Sequence, residues 1–151
     1  MFARRNLLVA AAAVAGAIGG RDANAQQPGG TGAMPGMPTG RMTLQECIDS
    51  CLASHRMCLA TGHYCIEQGG LHVAAAHLAL LLDCAEMCQT TANSMLRHSP
   101  QHPAICAACA QICEACADSC EKFQGDEAMG RCAKTCRDCA ASCRMMSKQP
   151  I

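Results

Sequence analysis

Between Cys106 and Cys120 a cysteine recurs at steps of three, four, three and four residues, and between Cys132 and Cys143 at steps of four, three and four. On an α-helix this spacing keeps every one of those side chains on a single face. It is the seam of a helix packed in a bundle, with cysteine at the positions that usually carry Leu or Ile. Two upstream segments follow the same register. The first carries Cys47, Cys51, Cys58 and Cys65, with Ser54 and either Thr61 or Gly62 at the intermediate steps. The second has Cys84 and Cys88, leaving His77, Leu81, Thr91 or Ala92, and Met95 as its other inward positions. All 15 cysteines of the chain are therefore expected to face one axis.

The helices that carry these seams have readable ends. Thr43-Leu-Gln-Glu46 is a capping box, in which a hydroxyl and a carboxylate satisfy free amides at a helix start, and the first helix is expected to run from there to about residue 68. Gly69-Gly70 favours a left-handed turn over continuation. A second helix is predicted over about 71–98, ended by Ser99-Pro100 and Pro103. A third is predicted over about 103–124, stopped by Gly125, and a fourth runs from an Asp126 cap to about residue 148. No stretch alternates as a strand would. Similar lengths and short connections predict an all-α fold, an antiparallel up-down-up-down four-helix bundle with a Cys-lined core.

Ordinary core residues are too few to build this bundle alone. From Gln26 onward there are 16 Leu, Ile, Val and Phe residues, and none lies between Phe123 and Ile151. The buried stripe of the last helix must be Cys with Ala and Met. Its other faces carry Arg131, Lys134, Arg137, Asp138 and Arg144, which are read as a solvated charged surface rather than as partners of Glu114, Asp118 and Glu121. Twelve basic and twelve acidic side chains give no electrostatic case for nucleic acid.

Residues 1–25 have the parts of an export signal: Arg4-Arg5, an apolar stretch from Leu7 to Ile18, and Ala23-Asn24-Ala25 as a small-residue cleavage site. The apolar stretch is too short to span a bilayer, so it is a leader rather than an anchor. Paired arginines before Asn6-Leu7-Leu8 and a further Arg21 fit the twin-arginine route to the bacterial periplasm. Residues 26–40, rich in Gly and Pro with Met34 and Met37, read as a flexible linker. The functional domain is then 41–151.

Fifteen thiols in one register call for chemistry. Cysteine as a small hydrophobe explains one or two of them. Disulfides are compatible with export, but helical neighbours have Cβ atoms about 5–6 Å apart where a bridge wants about 3.8 Å, and an odd count leaves a thiol over. Several four-thiolate zinc sites would each carry about −2, and no seam Lys or Arg offsets that charge. Monovalent copper at about one ion per thiolate gives a neutral interior, and soft thiolate and thioether ligands select Cu(I). Iron-sulfur clusters need four convergent ligands and room for sulfide, which a narrow core supplies poorly. An iron-sulfur electron-transfer protein and a disulfide-bridged helical interaction protein remain the alternatives. No nucleophile with a base and no phosphate-cradling loop is present, so no enzyme is expected.

In its leader, its helix count and the Cys-x-x-Cys and Cys-x-x-x-Cys steps over Cys106–Cys120 and Cys132–Cys143, the chain resembles the exported branch of the copper storage protein family. The resemblance covers about residues 43–146. It implies Cu(I) held by thiolate pairs along the core, loading and release through one open end, a homotetramer, and supply of copper to an unknown acceptor, with no membrane anchor. The antiparallel bundle gathers His63, Tyr64, His72, His77 and Met129 at one end and Met42, Met95, Met145, Met146, His98 and His102 at the other. The family's mouth resembles the first end, with His63 matching and His72, His77 and Met129 as further candidates. Glu67, Gly69 and Gly70 stand nearby without thioethers, a departure from the family pattern. Tyr64 and Phe123 would plug that same end.

Overall fold

The computed structural model describes residues 42–150, all within one compact unit. The leader, the linker with Met34 and Met37, and the twin-arginine pair lie outside the described residues. Four α-helices make up the bundle: α1 (Leu44–Gln68), α2 (Ala75–Leu96), α3 (His102–Cys120) and α4 (Glu127–Met146). Each helix packs against its two sequence neighbours around a square, with α1 closing on α4, while the diagonal pairs stay apart. Pairing across the core runs antiparallel, since Cys51 meets Cys143, Cys58 meets Cys136 and Cys65 meets Met129 as α1 ascends and α4 descends.

The helix ends follow local chemistry. The Thr43 hydroxyl accepts from the Glu46 amide, and the Glu46 carboxylate accepts from the Thr43 amide at 2.8 Å. Asp126 caps α4 by accepting from the amides of Ala128 and Met129. Pro103 sits in the first turn of α3, where its missing N–H costs no helical bond.

Two connections differ from the sequence expectation. The second helix does not begin at residue 71. Gly69 and Gly70 both take positive φ (69° and 57°), a short 3-10 helix follows over Gly70–Val73, and the extended backbone of Ala74 separates it from α2. The third helix stops at Cys120 rather than near residue 124, because the chain turns through Gly125 (φ 80°) and lays Phe123 over the end of the core. The charged face also differs. Arg137 pairs with Asp118 and, at 2.9 Å, with Glu121, and Arg144 pairs with Glu114, so α3 and α4 are laced along their outer edge. These groups stay partly exposed, and pairs of that kind contribute about 1 kcal/mol or less.

Inside the bundle every cysteine is fully buried, accompanied by Ala85, Ala92, Ala110, Ala117, Ala133 and Ala140 at the flanks of the seams. Alanine lets the helices approach, which brings facing thiols into contact. Among the described residues no helix is long and apolar enough to cross a membrane.

Candidate metal centre

Four helical seams deliver their sulfurs to one axis. Cys51 and Cys143 lie 3.5 Å apart, Cys88 and Cys113 3.5 Å, Cys58 and Cys136 3.6 Å, and Cys84 and Cys113 3.6 Å. All fifteen are free thiols. Three sets of four or three converge further: Cys51, Cys109, Cys139 and Cys143; Cys58, Cys84, Cys116 and Cys136; and Cys116, Cys120 and Cys132 each keep their sulfurs within 4.8 Å of one another. A fourth set, Cys88, Cys109, Cys113 and Cys139, shares two members with the first. An ion bracketed by two sulfurs at about 2.3 Å each, the Zn–S length, requires them no more than about 4.6 Å apart. The core meets that requirement repeatedly, with soft donors and, among the described residues, no buried Lys or Arg.

Mutual contact polarises the thiols. Cys84 is pushed well below the ordinary thiol range by Cys113 above all, with Cys116, Cys136 and Cys58 also stabilising its thiolate. Cys109 is pushed down in the same way, led by Cys113. Cys113 is pushed far up, first by its contact with Cys109 and also by burial. Cys106, nearer the edge, rises to about 12: its bond to Cys143 favours the thiolate, but the contact with Cys47 and burial outweigh it. A buried cluster of this kind cannot ionise throughout while empty of cation, so metal uptake must displace protons.

At the end where α1 turns into α2, the ladder finishes in a mixed set. The Cys65 sulfur lies 3.6 Å from His77 Nε2 and 3.8 Å from Met129 Sδ. His77 Nδ1 sits 2.8 Å from the Ser119 hydroxyl. That contact orients the ring so that Nε2 faces the sulfurs, the usual arrangement behind a metal-binding imidazole. Burial lowers the His77 pKa, which favours the neutral, ligating form. Phe123 stacks on both His77 (4.8 Å between centroids) and His72 (4.4 Å). Asp126 accepts from His72 Nε2 and from the Tyr64 hydroxyl, both at 2.9 Å. Desolvation opposes its charge, but those two bonds and the amides of Met129 and Ala128 hold its pKa at about 2.

The candidate mouth residues are thus divided. His77 and Met129 adjoin the last core thiol, and His72 lies one aromatic ring outward. His63 does not join them: it is exposed on the outer face of α1, 3.4 Å from Glu67, beside a groove lined by Leu59, Ile66, Leu78 and Leu82. It precedes Cys65 by two residues, about 200° around the helix, so its direction was readable from the register. Ser119 and the bonding of Asp126 to His72 and Tyr64 were not anticipated. Asp126 is recognisable in sequence only as a cap.

Similarity to known proteins agrees with this geometry. The family model described as "Copper storage protein" matches residues 41–148. Among solved structures, a protein from Nitrosospira multiformis is 50% identical, with 69% of this chain and 94% of that one covered and a TM-score of 0.65. The Cu(I)-bound copper storage protein 3 of Bacillus subtilis is 34% identical, covering 68% of this chain and 96% of that one at a TM-score of 0.65. A cytosolic copper storage protein from Streptomyces lividans, loaded with five coppers, is 29% identical over 70% of this chain and 92% of that one, with a TM-score of 0.66. No curated protein matches the sequence.

Proposed function

This chain belongs to the copper storage protein family and stores Cu(I) on the thiolates of its core, and from that premise we propose how the store is built, filled and placed. All fifteen cysteines serve as ligands, at about one ion each. The carrying observation is that every thiol is buried and that four sets of three or four sulfurs converge within 4.8 Å. One Cu(I) per thiolate leaves the interior neutral, whereas divalent metal held by four thiolates would leave charge in a dry core. Storage, rather than catalysis, follows from ligand exchange alone: an ion moves from one sulfur set to the next and leaves to a competing ligand.

Copper is admitted at the His77 end. His77, Cys65 and Met129 form a nitrogen and sulfur set that matches the softness of Cu(I), and Phe123 with His72 covers it. At the opposite end the thioethers of Met95 and Met146 are buried, but among the described residues no histidine there has a hydrogen bond to a core thiol, as His77 has to Cys65. His102 Nε2 lies 2.8 Å from the Gln149 carbonyl and Nδ1 lies 3.2 Å from the Ser99 carbonyl, so both ring nitrogens are engaged.

The finer setting comes from the sequence. Arg4-Arg5 and the short apolar stretch support a leader cleaved after Ala25, twin-arginine export to the periplasm, and supply of copper to proteins there. Exposed Leu59, Ile66 and Leu82 on the outer faces of α1 and α2 support self-association, and the family resemblance supports a homotetramer. Anaerobic titration with Cu(I), with thiol counting and native mass, tests the proposal. Saturation near fifteen ions supports it, and saturation after one or two defeats it. Replacing Arg4 and Arg5 with Lys should leave the leader uncleaved.

A further inference from the structure

The thiol ladder is not uniform along its length. Toward the His77 end, Cys58, Cys84, Cys116 and Cys136 form one set, and Cys116 joins it to Cys120 and Cys132. Toward the other end, Cys109 and Cys139 are shared between the set of Cys51 and Cys143 and the set of Cys88 and Cys113, so these are also one body. Cys47 and Cys106 belong with the second body through Cys143. Cys65 extends the first toward His77. Seven thiols thus lie on one side and eight on the other, out of fifteen.

What joins the two bodies is narrow. Of the thiol hydrogen bonds among the described residues, only the one from Cys84 to Cys113, at 3.6 Å, crosses between them. A further crossing contact, to Cys88 one turn along α2, again belongs to Cys84. At this same level α1 presents Ser54, fully buried, with its hydroxyl 3.9 Å from the Cys84 sulfur and 3.7 Å from that of Cys136. A hydroxyl is a hard donor that Cu(I) passes over in favour of thiolate. The seam that would have supplied a second crossing is therefore closed by an oxygen.

We propose that Cys84 is the bridge through which copper passes between two thiol reservoirs, and that Ser54 keeps it the only bridge. An ion at Cys84 and Cys136 reaches Cys113 by one exchange: a Cys84–Cu–Cys136 pair becomes Cys84–Cu–Cys113 as the Cys113 thiol gives up its proton, which passes to the released Cys136 thiolate. Charge and valence are unchanged and no electron moves. Filling is then sequential, with the near reservoir loaded first and the far one fed through a single residue. This rests on the storage reading above.

The test uses the full-length protein, anaerobic and reduced, with Cu(I) delivered from its bicinchoninate complex. Uptake is followed by stopped flow and time-resolved native mass. Cys84→Ser should stop rapid uptake near six ions, the seven near thiols less one, and slow the remainder by roughly tenfold or more. Cys139→Ser removes one thiol from within the far body and should lower final capacity equally without a stall. Adding Ser54→Cys to Cys84→Ser places a thiol between Cys51 and Cys58, its neighbours at i−3 and i+4, and should restore rapid filling. A stall near eight ions would keep the bridge and move the mouth to the opposite end. Unchanged kinetics in Cys84→Ser, or a stall that Ser54→Cys does not relieve, would overturn the proposal. If the wild-type protein takes up only one or two ions, storage itself has failed, an outcome distinct from loss of the bridge.

Discussion

The two ends of the bundle each bury a histidine and methionine, yet they use them differently. His77 directs one nitrogen to Ser119 and the other to Cys65, beside Met129. His102 turns both ring nitrogens toward backbone carbonyls, those of Ser99 and Gln149, and Met95 and Met146 are buried in the core toward that end. The same residue types make a ligand set at one end and a clasp at the other. The deciding factor is what occupies the second ring nitrogen.

That contrast is easily broken by substitution. His77→Phe should slow Cu(I) loading by tenfold or more while leaving final capacity unchanged, as stopped-flow uptake would read. His102→Phe should leave loading rates alone. It should instead lower unfolding free energy by about 1–3 kcal/mol, because the carbonyl that accepts from the ring N–H loses its donor, visible as a lowered midpoint in urea. If His102→Phe slows loading and His77→Phe does not, the mouth has been placed at the wrong end.

Asp126 ties the cover of the His77 end together. Asp126→Ala removes a helix cap and should cost about 1 kcal/mol. Its pKa is depressed to about 2, below the unfolded value of about 3.9. The stability it contributes is therefore full above pH 4 and is lost as pH falls toward 2. An acid titration of wild type and variant should converge over that window. At the other end, the buried Ser94 hydroxyl has no partner among the described residues. Ser94→Ala should leave stability unchanged or raise it by about 0.5 kcal/mol, measured by the same urea midpoint.

Much of this architecture was legible beforehand. The inward direction of all fifteen cysteines, and of Ser54, His77, Leu81 and Met95, follows from a period that an α-helix imposes on any sequence. The Thr43 and Asp126 caps were equally plain, since a cap is decided within four residues. The outward position of His63, apart from His77 and Met129, was contained in the register, since a residue two positions from the seam faces away. By contrast, nothing local announces that Asp126 reaches Tyr64 and His72, or that the third helix yields at Cys120 so that Phe123 can cover His77. The ion pairs of Arg137 and Arg144 likewise needed the actual distance between α3 and α4.

By itself the amino-acid order determined that four helices would bury their cysteines and that soft metal would suit them, because helical period and donor chemistry are both local properties. Only the tertiary structure decided which sulfurs touch, which end turns an imidazole nitrogen toward a core thiol, and where the ladder narrows to Cys84. Those depend on how far each helix is slid along its neighbours. A shift of one residue along the axis, about 1.5 Å, is enough to exchange one set of sulfur contacts for another.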